Sequence, residues 1–129
     1  MRLRVLTPTH VVLEQDVVHV TVEDPTGSLG IRPGHAPLVT PLVQGILLAR
    51  DTEGKERYLA LDGGVALVNR DRVDVVSRRA VESDDLEHLE LNVLVKFARE
   101  AEEDRSNFVA FERMRLSFMR RLLELERGE

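Results

Sequence analysis

Cysteine is absent from the 129 residues. That excludes disulfides, thiol nucleophiles, thiolate-held zinc and iron–sulfur clusters, and it fits a reducing compartment. Tryptophan is missing too, and the aromatics are one tyrosine and four phenylalanines, so the core must be built from valine, leucine and isoleucine. No run of about eighteen apolar residues occurs, which excludes a direct membrane-spanning helix. Met1-Arg2-Leu3-Arg4 leads straight into alternating residues without the apolar stretch of a secretory leader. Positive charge is scarce: eighteen Lys and Arg against twenty-three Asp and Glu leave −5, the wrong sign for nucleic-acid binding through phosphate neutralisation. Beyond Ser83 there is no proline, and the only glycine is Gly128.

What is present divides the chain in two. Up to about residue 82, short apolar runs (Leu3 and Val5, Val11–Leu13, Val17–Glu23, Leu38–Thr40, Ile46–Arg50, Arg57–Leu61, Val65–Val68 and Val73–Val76) are separated by turn-forming residues. In Val17–Glu23, Val18, Val20 and Val22 alternate with His19, Thr21 and Glu23, the period-two pattern of a half-buried strand. Short strands with a turn every ten residues or so predict a β-sandwich or barrel. From Ser83 the period becomes helical: Leu86, Leu89, Val93, Phe97 and Ala101 form one stripe, and Phe108, Phe111, Met114, Phe118, Leu122 and Leu125 a second. Ser83 is the expected N-cap, with Asp84 and Asp85 in the first turn, and Asp104–Asn107 is the break between two antiparallel helices. The fold class is therefore α+β: an N-terminal antiparallel β-sandwich, residues 1–82, followed by a C-terminal α-helical hairpin, residues 83–129.

Chemistry is hard to place on this chain. Gly27-Ser28-Leu29-Gly30 and Asp62-Gly63-Gly64 lack the Gly-Lys-Ser/Thr of a phosphate-cradling loop and read as β-turns. His10, His19, His35 and His88 show no metal-ligand spacing, so no metal site is expected. None of Ser28, Ser77, Ser83 and Ser106 sits in a nucleophile elbow. Consecutive acids such as Asp84-Asp85 diverge on a helix and cannot converge on one substrate. No catalytic residue and no cofactor is expected.

The stretch Gly27-Ser28-Leu29-Gly30-Ile31-Arg32-Pro33-Gly34-His35-Ala36-Pro37-Leu38-Val39-Thr40 resembles the signature of the epsilon subunits of F-type ATP synthases, the equivalents of mitochondrial delta. Leu61-Asp62-Gly63-Gly64-Val65, Val68-Asn69 and Val73-Asp74-Val75-Val76 are similar to the family's second glycine turn and last strands. The likeness is specific over about residues 1–76 and architectural beyond. It implies a non-catalytic rotor subunit whose sandwich docks on the foot of the gamma subunit and touches the c subunits of the membrane rotor ring. Such a subunit is peripheral, on the cytoplasmic face of the plasma membrane. The resemblance puts Leu29, Gly30, Ile31, Arg32, Pro33, Gly34, His35, Ala36, Pro37 and Leu38 at that contact. The prolines and glycines pre-set the segment and lower the ordering entropy that docking costs.

In bacterial relatives the hairpin folds against the sandwich or extends toward the alpha/beta head and hinders hydrolysis. Arg113, Arg115, Arg120 and Arg121 suit an extended form facing acidic parts of the head; equally, they suit a closed hairpin with solvated arginines. Ser28 stands where many relatives carry an acid. In Leu86-Glu87-His88-Leu89-Glu90-Leu91 a glutamate replaces the arginine with which some relatives bind ATP, so that mode of ATP binding is not expected. The divergent tail suggests an atypical branch, such as the alternative sodium-pumping synthases. The competing reading is a stand-alone ligand-binding β-sandwich module.

Overall fold

The computed structural model describes residues 1–105 and Arg120. Among the described residues ten strands lead into helix: β1 (Arg2–Leu6), β2 (Val11–Asp16), β3 (His19–Asp24), β4 (Gly27–Ile31), β5 (His35–Leu42), β6 (Gly45–Arg50), β7 (Glu56–Leu61), β8 (Gly64–Arg70), β9 (Arg72–Val76), β10 (Ala80–Ser83), α1 (Leu86–His88) and a π-helical turn, Leu89–Leu94. Residues 95–105 are α-helical.

The strands form two five-stranded sheets, ordered β2-β1-β9-β8-β5 and β10-β7-β6-β3-β4. Their facing sides supply one core, in which Leu3, Val5, Val20, Val22, Ile31, Leu47, Leu59, Val73 and Val75 are fully buried. Burying each contributes roughly 1.5–3 kcal/mol. This is the sandwich expected from the alternation, with one difference. β1 and β9 pair in parallel, Leu3 beside Val73 and Val5 beside Val75, whereas the other neighbours are antiparallel. The chain leaves the first sheet after β2 and re-enters it through β5, so β9 reaches the exposed edge of β1 running the same way.

Two strands lie where the sequence suggests only turns or a boundary. Gly27–Ile31 is β4, with Leu29 and Ile31 turned inward, and Ala80–Ser83 is β10, paired with β7. Only Gly27 of the first glycine pair belongs to a turn, at φ +128°. In the expected strand Val17–Glu23, the first two residues lie outside β3: Val17 is buried, and Val18 is exposed.

The helix cap also differs from expectation. Asp85, not Ser83, is the N-cap: its carboxylate accepts from the His88 amide at 3.2 Å, while Ser83 Oγ accepts from the Asp85 amide at 3.1 Å. Ser83 is held back by its pairing with Tyr58 in the β10–β7 ladder. Of the first apolar stripe, Leu89, Val93 and Phe97 pack against the sandwich, while Leu86 stays exposed. Leu89 and Phe97 are buried with Ala60, flanked by Ile46, Tyr58, Val93 and Leu94. Ala60 lies between inward-facing Leu59 and Leu61, so β7 is covered on both faces. Contact density marks Met1–Phe97 as one compact unit and Ala98–Glu129 as a second. The expected second helix lies outside the described residues.

Polar links secure the end of the sandwich beside Phe97. The Asp62 side chain is only 5% exposed and accepts from Arg78 and Arg79 at 2.9 and 3.0 Å. Its other oxygen accepts from Gln44 Nε2 at 2.7 Å. Arg79 also lies over the Phe97 ring, 4.4 Å from its centroid, a cation–π contact joining the β9–β10 connection to the helix. Burial pushes the Asp62 carboxyl up, but donation from Gln44, Arg79 and Arg78 and the Arg78 charge outweigh it and hold it below the usual carboxylate value.

Candidate docking surface

Between β4 and β5 the chain turns through Arg32-Pro33-Gly34. Proline fixes φ at its own position, and Gly34 takes φ +83°, which a side chain would resist. The His35 amide donates to Arg32 O at 3.1 Å, closing the turn, and the Gly34 amide donates to Arg70 O at 3.1 Å, tying the turn to the end of β8. Arg70 is itself at φ +47°. His35 Nδ1 lies 2.7 Å from Ala36 O; a carbonyl can only accept, so Nδ1 carries the proton and Nε2 is left as the acceptor while the ring is neutral.

Within the expected contact segment the side chains separate into two sets. Ile31 is fully buried in the core, and Leu29 and Leu38 pack against it. These three anchor the segment. Gly30, Arg32, Pro33, Gly34, Ala36 and Pro37 are exposed, and His35 is half-buried. Arg113, Arg115 and Arg121 lie outside the described residues; Arg120 is helical and exposed.

A second surface went unnoticed in the sequence. On the outer face of the first sheet, ladder partners line up as Pro41, Val65, Val76, Leu6 and Val11, an apolar row crossing all five strands. Val65, Val76 and Val11 are 39%, 41% and 47% exposed. The next row runs Val39, Leu67, Asp74, Arg4 and Glu14, with Val39 67% exposed and Arg4 paired to Asp74 at 3.2 Å. The row after that is polar: Asn69, Arg72, Arg2 and Asp16. The face thus grades from apolar to charged, and an open groove lined by Pro37, Val39, Leu67 and Asp74 runs where the two characters meet. The available signal was that β8 reads Val65-Ala66-Leu67-Val68, apolar on both sides, although only Ala66 and Val68 enter the core. A strand apolar on both faces must be covered twice or leave one apolar face open.

Among the described residues no group of three His, Asp or Glu side chains could hold a metal ion, and no helix is long and apolar enough to cross a membrane. What the arrangement offers is contact: a braced turn and an apolar sheet face on one module.

The model of the ATP synthase delta/epsilon chain beta-sandwich domain matches residues 1–83. The chain belongs to the ATP synthase delta/epsilon family. Its members are structural and regulatory subunits of the synthase, not catalytic ones. The chain is 33% identical over 103 residues to an ATP synthase epsilon chain of Moorella thermoacetica, covering 80% of this chain and 72% of that one. It is 33% identical to epsilon chain 2 of Paraburkholderia xenovorans over 125 residues, 95% of this chain and 90% of the relative. Among solved structures it is similar to a chain of the Euglena gracilis mitochondrial ATP synthase, a structure of OSCP, F1 and c-ring. There the TM-score is 0.62 at 29% identity, over 81% of this chain and 62% of that one. A chain from the central stalk and c-ring of the Tetrahymena thermophila enzyme, at 17% identity and TM-score 0.56 over 81% of this chain and 90% of that one, shares the fold. In this epsilon-family chain the matched segment takes in all ten strands, β1 to β10.

Proposed function

We propose that this chain is a central-stalk rotor subunit that clamps the gamma subunit to the membrane rotor ring and so couples ion-driven rotation to ATP synthesis in the alpha/beta head. The observation that carries the reading is the pair of surfaces on one rigid module: the apolar rows of the first sheet, and the braced turn at residues 32–35. The apolar face is assigned to gamma, because a permanent shaft contact favours a dry, hydrophobic patch. The segment Leu29–Leu38 is assigned to the ring, where a stiff loop transmits torque without first paying for its own ordering. The relatives named above belong to synthases, and this supports the assignment. The subunit is peripheral, held on the cytoplasmic face of the plasma membrane through the complex.

Residues beyond the first unit are assigned a brake on hydrolysis, with Arg113, Arg115, Arg120 and Arg121 facing acidic parts of the head. Removing residues 106–129 then raises the ATPase rate of the assembled enzyme and leaves gamma binding intact; an unchanged rate disposes of the brake. The docking reading is tested by co-expressing the tagged chain with its gamma subunit. A stable complex is expected, and Val39→Glu with Leu67→Glu lowers its affinity at least ten-fold, about 1.4 kcal/mol or more, by leaving charge in the dry contact. A wild-type chain that purifies alone contradicts the assignment.

A further inference from the structure

The turn at residues 32–35 borders a small crevice lined by His19, Gly30, Arg32, Pro33, Gly34 and His35. We propose that this crevice seats a single carboxylate side chain, carried by an acidic loop of the protein that the turn meets. The proposal rests on the docking reading above and names the chemistry of that same contact.

One guanidinium and two imidazoles converge there: Arg32 from the turn, His19 from β3 and His35 from the start of β5. In the β3–β4 ladder Val20 faces Ile31, so the next step along brings His19 alongside Arg32. Gly30 leaves room for this: a Cβ at that position would sit 3.2 Å from His19 Nε2, so the bare backbone lets the imidazole lie across the strand. Across β6 His19 is opposite Arg50, which spends its charge on Glu56 at 2.9 Å. Among the described residues no acid lines the crevice itself. Among the described residues no carboxylate pairs with Arg32, an exposed guanidinium on a turn whose backbone is already fixed.

A guanidinium presents a planar fork that matches a carboxylate through two parallel hydrogen bonds. Arg32 supplies the permanent charge. His35, with Nδ1 committed to Ala36 O, adds an Nε2 donor when protonated, and His19 closes the other wall. The glycines on the floor let a short side chain approach the backbone. The scale and chemistry suit one acidic residue rather than an anionic membrane. Membrane attraction draws on clusters of about four to eight Lys and Arg, whereas this rim belongs to a chain of net charge −5.

The test uses the full chain, isotope-labelled, titrated in low salt with two capped hexapeptides that differ only at one central position, glutamate or glutamine. A third arm uses phosphatidylglycerol vesicles. The glutamate peptide is expected to move the amide signals of Gly30, Gly34 and His35 saturably and to bind at least about five-fold more tightly than the glutamine peptide. Arg32→Gln removes that preference and His19→Gln reduces it, with signals outside the crevice unmoved as proof of an intact fold. Equal binding of the two peptides, no binding of either, an unchanged preference in Arg32→Gln, or a response to vesicles alone each overturns the proposal. The rotor ring takes no part in this titration. A chain that prefers glutamate but does not cross-link from the turn to the c subunits contradicts only the docking reading, and one that cross-links there without the preference contradicts only the crevice.

Discussion

Replacing Asp62 with alanine removes the acceptor on which Gln44, Arg78 and Arg79 converge. The carboxylate is 5% exposed, while Arg78 and Arg79 are 60% and 34% exposed, so water can re-solvate much of both guanidiniums after the substitution. The unrecovered loss is the 2.7 Å bond to Gln44, the charge-assisted bonds to the arginines, and the hold on Arg79 where it covers Phe97. A charge-assisted bond contributes about 1.5–3 kcal/mol and stranding one partner of a buried pair costs about 3–5, so after discounting for exposure we expect a loss of about 2–3 kcal/mol. For a chain of this size that lowers Tm by roughly 8–15 °C. Asp62→Asn, which keeps an acceptor for Gln44 but loses the charge, falls between.

The pH dependence gives a sharper reading. Because the folded carboxyl titrates below its unfolded value, the native state binds the proton less readily, and the contribution is complete above the unfolded value of about 3.9. It disappears as pH falls through the lowered folded value. The gap between wild type and Asp62→Ala, measured by thermal unfolding followed by circular dichroism, is therefore full at pH 7 and closes in acid. A gap below about 0.5 kcal/mol at pH 7, the range of ordinary surface substitutions, refutes the reasoning. So does a gap that widens on acidification.

Further outcomes follow from the same geometry. Gly64→Ala directs its Cβ into the Val76 carbonyl oxygen at φ +130° and should cost about 3 kcal/mol or more in urea unfolding, through strain and overpacking together. Gly34→Ala, at φ +83° with open space around the added carbon, should cost only about 1 kcal/mol. Phe97→Ala empties the cluster of Ala60 and Leu89 and removes the ring beneath Arg79; a loss of about 3 kcal/mol is expected, with faster proteolysis of the helix at residues 95–105.

The sandwich was legible because its strands alternate. Val20 and Val22, Leu47 and Ala49, and Val73 and Val75 sit at two-residue spacing and all face the core. β4 was not legible, since Gly-Ser-Leu-Gly-Ile carries turn-forming residues inside a strand, and its pairing with β3 comes from the hairpin at Pro25-Thr26 rather than from propensity. β10 was hidden for the opposite reason: Ala80–Ser83 has no pattern of its own and extends because β7 offers a free edge. That same pairing moves the helix cap from Ser83 to Asp85. Of the docking surface, the braced turn could be read from its prolines and glycines. The apolar rows could not, because they join residues from five strands whose register only the folded sheet defines. The crevice likewise needs His19 beside Arg32, a neighbour relation set by the β3–β4 ladder.

The lack of cysteine makes one experiment unusually clean. A single cysteine placed at exposed Ala36, beside the braced turn, and another placed separately at Leu67 in the apolar row can each be armed with a short photoreactive maleimide on the isolated chain before it is returned to the synthase. Ala36→Cys should cross-link to the c subunits and Leu67→Cys to gamma. If both label only the alpha/beta head, or neither labels any subunit of an intact complex, the turn and the sheet face are not the rotor contacts.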